Sequence, residues 1–182
     1  PLVGGGQRPL SQVRLMDLNA DLRPDLIYTV DDTWRVYTLS DAGFVGGAAW
    51  PGTDGVPLHG PDVSFADIDG DQRTDVLRET TSGLWWYRMG DTHLAAPLSV
   101  GPVSPLDPGL RLSTLRLNDV NGDGLADAVW VGDERIRVFL GRGDGTFADG
   151  ERWELPWTQQ YVDPSALRLG DLNRDGLVDL VR

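Results

Sequence analysis

The sequence predicts an all-β fold assembled from four-stranded antiparallel units, and three observations carry that expectation. The chain repeats itself, with nine-residue acidic stretches starting 50, 52 and 52 residues apart. Around each stretch, apolar and polar residues alternate with the two-residue period of a strand. No segment sustains the 3.6-residue period of a helix.

Each unit can be justified element by element. A first strand precedes the acidic stretch, with apolar residues two and four positions before its first Asp: Leu15 and Val13, Phe65 and Val63, Leu117 and Leu115, Leu169 and Leu167. That alternation predicts one buried face. The acidic loops are Asp17–Asp25 (DLNADLRPD), Asp67–Asp75 (DIDGDQRTD), Asp119–Asp127 (DVNGDGLAD) and Asp171–Asp179 (DLNRDGLVD). A second strand follows on Leu26-Ile27, Val76-Leu77, Ala128-Val129 and Leu180-Val181. A third carries Tyr37, Tyr87 and Phe139, each twelve residues past the last Asp of its loop. Turn signals at Asp41-Ala42-Gly43, Gly90-Asp91 and Gly143-Asp144-Gly145 set off a fourth.

A unit of about 50 residues with four short strands fits a β-propeller blade, which must stack on neighbours to bury both faces. A row of β-sandwich domains would need roughly 100 residues per repeat. Pro1–Gly6 reads as the tail of a fourth strand like Phe44–Ala49, and Arg182 follows the second strand of the last unit. About three and a half blades are therefore expected, with residues 1–182 all part of one β-propeller domain. The predicted partners are the remaining blades or domains of a longer parent protein. Open strand edges predict self-association of the isolated segment.

Composition narrows the function. The 182 residues carry 28 acidic and 16 basic side chains, a net charge of −12, which argues against a nucleic-acid groove. No apolar run reaches the 18 to 20 residues of a membrane span. With no cysteine there are no disulfides, thiolate zinc sites or cysteine nucleophiles. Every basic residue is arginine, as in a GC-rich bacterial genome.

The acidic loops read as cation sites. Side-chain oxygens stand at positions 1, 3, 5 and 9, and position 7 can offer its backbone carbonyl. The candidate ligands are Asp17, Asn19, Asp21, Arg23 and Asp25; Asp67, Asp69, Asp71, Arg73 and Asp75; Asp119, Asn121, Asp123, Leu125 and Asp127; and Asp171, Asn173, Asp175, Leu177 and Asp179. Five or six hard oxygens suit Ca²⁺ better than Zn²⁺ or Mg²⁺. Carboxylates ~4 Å apart repel by roughly 1 to 4 kcal/mol per pair without a cation. Up to four Ca²⁺ would move the net charge from −12 to −4.

Two other readings share parts of this pattern. An EF-hand also opens D-x-N-x-D-G, but position 12 holds Tyr28, Arg78, Trp130 and Arg182 instead of Glu, and the flanks are strands. Asp, Asn and Gly also make Asx turns between strands without any metal. The first loop departs most, with Ala20 and Leu22 where glycines stand at positions 4 and 6 of the third loop, and Pro24 at position 8. Left-handed backbone there would cost roughly 1 kcal/mol per residue.

These loops, the strand before each, and the run Val138-Phe139-Leu140-Gly141-Arg142-Gly143-Asp144-Gly145-Thr146-Phe147 resemble the FG-GAP/VCBS repeats of integrin α-type β-propellers. The resemblance covers nearly the whole chain. It implies a Ca²⁺ loop between the first two strands of each blade. More narrowly, Leu117–Asp127 is similar to the propeller of Tc-toxin B-subunit and Rhs-type bacterial toxin proteins, which implies other toxin subunits as partners. Secreted lectin-like and lyase propellers share this wording.

Other features read as structure first. Arg142-Gly143-Asp144 spells an integrin-binding tripeptide but falls in the repeat's own G-D-G-T-F turn. Trp85, Trp86 and Tyr87 form a candidate sugar-stacking face, yet alternation splits them between two sheet faces. Trp153 and Trp157, in a loop-like ERWELPW stretch, are a similar candidate. His59 and His93 are isolated, and no nucleophile, zinc or phosphate-loop motif is present.

The expectation is a calcium-binding, non-enzymatic structural or interaction module of a larger secreted bacterial protein, as in a toxin complex. The alternative is the propeller of a secreted carbohydrate-binding or polysaccharide-active protein.

Overall fold

In the computed structural model, residues 13–102, 110–132, 135–148, 152–154, 168–170, 172–173 and 178–181 are described. The strands come in chain order as four antiparallel sheets. The first holds β1 (Val13–Met16), β2 (Asp25–Val30), β3 (Thr33–Ser40) and β4 (Gly43–Ala49). The second holds β5 (Val63–Ala66), β6 (Asp75–Thr80), β7 (Gly83–Tyr87) and β8 (Leu98–Ser99). The third holds β9 (Leu115–Asn118), β10 (Asp127–Val131), β11 (Arg135–Phe139) and β12 (Arg152–Glu154). A two-stranded sheet of β13 (Arg168–Gly170) and β14 (Asp179–Val181) follows. Among the described residues the one helical turn is a 3₁₀ segment, Leu112–Thr114.

The register is the same in each blade. Leu26 faces Tyr37, Val76 faces Tyr87 and Ala128 faces Phe139. Every acidic loop joins the first and second strands of its blade, so its two ends are held by a paired ladder.

Paired apolar residues on the second strands serve two interfaces. Val76 joins Ile27, Trp34 and Met89 between the first and second blades. Its neighbour Leu77 joins Trp86, Ala128 and Phe139 between the second and third. Val129 in turn belongs to a cluster with Leu169 of the following sheet. Burial of each such side chain contributes about 1.5–3 kcal/mol, and both faces of a blade are used. That is why the second strands read as short unbroken apolar runs rather than alternating ones.

Trp34 lies wholly buried at the first interface and donates its Nε1–H to the Val56 carbonyl at 2.7 Å. Trp86 is buried at the second interface, whereas Tyr87 packs on the first, as alternation predicts.

Two expectations are corrected. Leu15 is 58% exposed instead of buried. Its counterparts Phe65 and Leu117 turn toward the preceding blade, and no described residue stands there for Leu15 to cover. The Arg152–Glu154 part of ERWELPW is a strand, with Trp153 opposite Ile136 on β11, rather than a loop. Trp157, Pro1–Gly6 and Arg182 lie outside the described residues.

Candidate metal centre

The acidic loops fold by a ladder of side-chain-to-backbone bonds. In the second loop, the two Asp67 oxygens accept the Gly70 N–H at 2.8 Å and the Gln72 N–H at 2.7 Å. Asp69 accepts the Asp71 N–H at 3.3 Å, and Asp71 accepts the Arg73 N–H at 3.0 Å. The third loop repeats this: Asp119 takes Gly122 and Gly124 N–H, Asn121 takes Asp123 N–H, and Asp123 takes Leu125 N–H. In the first loop Asp17 bonds Asn19 and Leu22, Asn19 bonds Asp21, and Asp21 bonds Arg23. These are Asx turns in series, and they curl side chains 1, 3 and 5 toward one point.

The curl demands left-handed backbone at positions 4 and 6. The φ angles are 79° at Gly70 and 68° at Gln72, 78° at Gly122 and 87° at Gly124. Ala20 and Leu22 adopt the same conformation, at 61° and 63°. The first loop therefore has the geometry of the others despite its departures in sequence.

In the second loop the three converging side chains are all carboxylates. One oxygen from each of Asp67, Asp69 and Asp71 lies within 4.8 Å of the other two. A carboxylate has about four lone-pair sites, so the backbone bonds leave capacity for a hard cation. In the first and third loops, Asn19 and Asn121 replace the middle carboxylate, and each donates its Nδ2–H to the Asp at position 5, at 3.2 and 2.9 Å.

The ninth-position aspartates sit behind this rim. Asp25, Asp75 and Asp127 are fully buried. Each accepts the N–H of the residue at position 2: Leu18 at 3.1 Å, Ile68 at 3.4 Å and Val120 at 3.0 Å. Asp179 does the same with Leu172 at 2.9 Å, so the fourth loop carries the same clasp. Asp75 also takes Trp86 Nε1–H at 3.0 Å and Met89 N–H at 2.6 Å, while Asp127 takes Gly141 N–H at 2.8 Å. At Asp25 the Leu39 N–H, at the offset of Met89 and Gly141 in the other blades, faces the carboxylate in the same way but more loosely.

Burial raises the carboxyl pKa at all three, and at Asp75 pushes it up to about 7 against the pull of the Met89 and Trp86 donors. Asp67 is raised by burial as well, and the neighbouring Asp71 and Asp69 add to the shift.

At position 7, Arg23 pairs with Asp41 at 3.0 Å and Arg73 with Asp91 at 2.5 Å, each tying its loop to the β3–β4-type turn of its own blade. Leu125 instead lies against Gly70 and Gly143. Asp171, Asp175 and Leu177 lie outside the described residues, and Asn173 is exposed.

One participant carries no signal in the loop motif. Arg88, just past β7, reaches back to Asp69 through Nε and to Asp71 Oδ2 at 3.4 Å. Only its offset of thirteen residues from Asp75, where Thr38 and Leu140 stand in the other blades, marks it in the sequence.

The other candidates resolve as structure. Trp86 is in the core, Trp85 donates Nε1–H to Thr80 Oγ1 at 3.1 Å, and Asp144 of the tripeptide accepts Thr146 Oγ1–H at 2.6 Å. His59 and His93 are exposed. Glu79 is held by Arg111 at 3.0 Å and the Leu112 N–H at 2.9 Å.

Residues 119–181 match the family model described as FG-GAP-like repeat. Internal symmetry extends the acidic-loop pattern to residues 17–25 and 67–75. No curated protein matches the sequence significantly. Among solved structures, the chain is similar to part of the Photorhabdus luminescens Tc holotoxin pore, with a TM-score of 0.71 at 20% identity over 93% of this chain and 8% of that one. It is similar to an Agrocybe aegerita lectin specific for non-reducing terminal N-acetylglucosamine, with a TM-score of 0.60 at 22% identity over 91% of this chain and 44% of that one. A TcdB2-TccC3-Cdc42 structure gives 0.56 at 13% identity, over 94% and 14%. The chain thus spans less than half of each of these proteins, and at these identities the likeness is one of propeller fold. Among the described residues, no helix is long and apolar enough to cross a membrane.

Proposed function

We propose that this chain is a calcium-binding propeller segment that serves as a structural or interaction module within a larger secreted bacterial protein of the Tc-toxin kind. The observation that carries the calcium reading is the convergence of Asp67, Asp69 and Asp71 in a loop geometry that the first and third blades repeat. The loops sit between paired strands and bond to one another, so a cation bound there stiffens the propeller rather than performing chemistry. In this reading the module is non-enzymatic, and its partners are the other blades and subunits of its assembly. The similarity to toxin-complex propellers supports that context. The carbohydrate reading has less support: Trp86, the centre of the aromatic triplet, is committed to the core and to Asp75.

Calorimetric titration with CaCl₂, together with thermal melts in EDTA and in millimolar CaCl₂, tests the proposal. Each site held at a hundred times its Kd adds about 2.7 kcal/mol to the folded state. Superimposable melts and a flat titration would sink it.

A further inference from the structure

We propose that Arg88 is the built-in counter-cation of the second acidic loop, and that a divalent ion binding there must displace its guanidinium. The inference rests on the calcium reading above and concerns one loop of the four. Two differences between the repeats occur together in this blade. At position 3 the second loop has Asp69 where the others have Asn19, Asn121 and Asn173, so it carries one more carboxylate. At the position thirteen residues past the buried aspartate, Arg88 replaces Thr38 and Leu140.

The structure joins these two departures. Arg88 Nε pairs with Asp69 Oδ2, and Nη2 lies 3.4 Å from Asp71 Oδ2. Asp69 and Asp71 are largely buried side chains, 9% and 19% exposed, while Arg88 is 55% exposed. The guanidinium therefore caps the cluster from the solvent side, with a stem free to swing out. Arg73 approaches the same Asp71 oxygen at 3.4 Å but is anchored to Asp91, so it belongs to the loop's frame. A guanidinium is charged at all accessible pH values and forks across two carboxylates, so it neutralises the extra carboxylate without metal. The second loop is then preformed without calcium, and binds calcium more weakly than its carboxylate count implies.

Two ion pairs with one exposed partner correspond to a few-fold up to about tenfold in a binding constant. Calorimetry on the whole chain should show R88Q tightening one class of Ca²⁺ site by that factor. R88K, which keeps the charge and loses the fork, should fall between. The double variant D69N/R88Q restores the composition of the other loops and should bind like them. In EDTA, R88Q should lower the melting temperature, and D69N added to it should recover part of the loss. Circular dichroism establishes that each variant is folded. Calcium binding by wild type with no change of affinity in R88Q overturns the inference while leaving the calcium reading intact. No calcium uptake by wild type or any variant overturns the calcium reading and the displacement claim with it. An R88Q melt in EDTA equal to wild type overturns the counter-cation role by itself.

Discussion

The backbone N–H of Ala126 donates to the carbonyl of Asp67 at 2.8 Å, tying the acidic loop of the third blade to that of the second. Thr74 makes the equivalent bond to Asp17 at 3.3 Å. Position 8 of the second and third loops thus bonds to position 1 of the loop before it, and the first three loops form a laced rim across the blades. Pro24 holds position 8 of the first loop and has no N–H to give. Order imposed on one loop, by a cation or otherwise, would reach the next blade through the main chain.

That lacing can be cut at one bond. Pro24 is exposed whereas Ala126 is buried, so Ala126→Pro removes the donor, strands the Asp67 carbonyl and also crowds it with the ring. The loss should be about 1–3 kcal/mol, read from urea unfolding midpoints. Thr74→Pro, at the longer bond, should cost less. Equal midpoints for Ala126→Pro and wild type would show that the loops do not fasten the blades.

Leu22 is 85% exposed and left-handed, with φ of 63°. Its side chain contributes little packing, and its backbone is held in a region costing an L-residue roughly 1–2 kcal/mol. Leu22→Gly should therefore stabilise the chain, by about 0.5–1 kcal/mol after the greater unfolded-state freedom of glycine is subtracted. A destabilised Leu22→Gly in the same urea assay would mean that the leucine makes a contact worth more than its strain.

The same strain ranks the loops. With calcium present, Asp123→Ala should lower the melting temperature more than Asp21→Ala, because Gly122 and Gly124 let the third loop close on a cation without backbone cost, whereas Ala20 and Leu22 oppose it. Melts of the two variants in CaCl₂ decide this, and equal losses would show that the non-glycine residues leave ligand geometry unaffected.

How much of this was legible follows from what each residue reads. The blade and its register were, because Tyr37, Tyr87 and Phe139 keep a fixed offset from loops whose spacing is regular. The curl of the acidic loops was, since an alternating run of Asp and Asn is local. The exposure of Leu15 was not, because alternation tells which face a residue is on, not whether anything covers that face. The strand at Trp153 was not, because Glu151, Arg152, Glu154 and Pro156 crowd it. Arg88 was invisible because its partners lie seventeen and nineteen residues away and only the fold brings them together. The rim-and-clasp division, with Asp25, Asp75 and Asp127 buried behind the converging side chains, has no signature in a motif that writes every Asp alike.

The buried clasp predicts an unusual pH dependence for the chelated protein. Asp75 has its folded pKa raised to about 7 from 3.8. Between those values the unfolded chain releases a proton that the folded chain keeps. Stability is then highest at the acid end of the window and falls as pH rises through it. Asp25, Asp67 and Asp127 are shifted in the same direction, and the net charge of −12 adds self-repulsion at high pH. In EDTA the melting temperature should fall by several degrees from pH 5 to pH 8, while the increment given by calcium grows over the same range. A melting temperature in EDTA that climbs from pH 5 to pH 8 would contradict the burial argument.

Space and backbone conformation can be separated at the turn between β11 and β12. Gly143 and Gly145 are both left-handed, with φ of 75° and 83°. A Cβ on Gly143 would meet nothing closer than Leu125 Cδ2 at 3.6 Å. On Gly145 it would lie 2.5 Å from Val100 Cγ1 and 3.0 Å from Trp86 Cε3, because this turn wedges against the second blade. Gly143→Ala should therefore cost only the conformational strain, about 1 kcal/mol. Gly145→Ala adds an overpacking cost of typically 1–3 kcal/mol and should push Trp86 off its bond to Asp75. Intrinsic fluorescence in urea reads both effects, since a displaced Trp86 changes emission before global unfolding. Two glycines equally sensitive to alanine would mean that the turn moves freely away from Trp86, and that the third blade is not keyed to the second at this point.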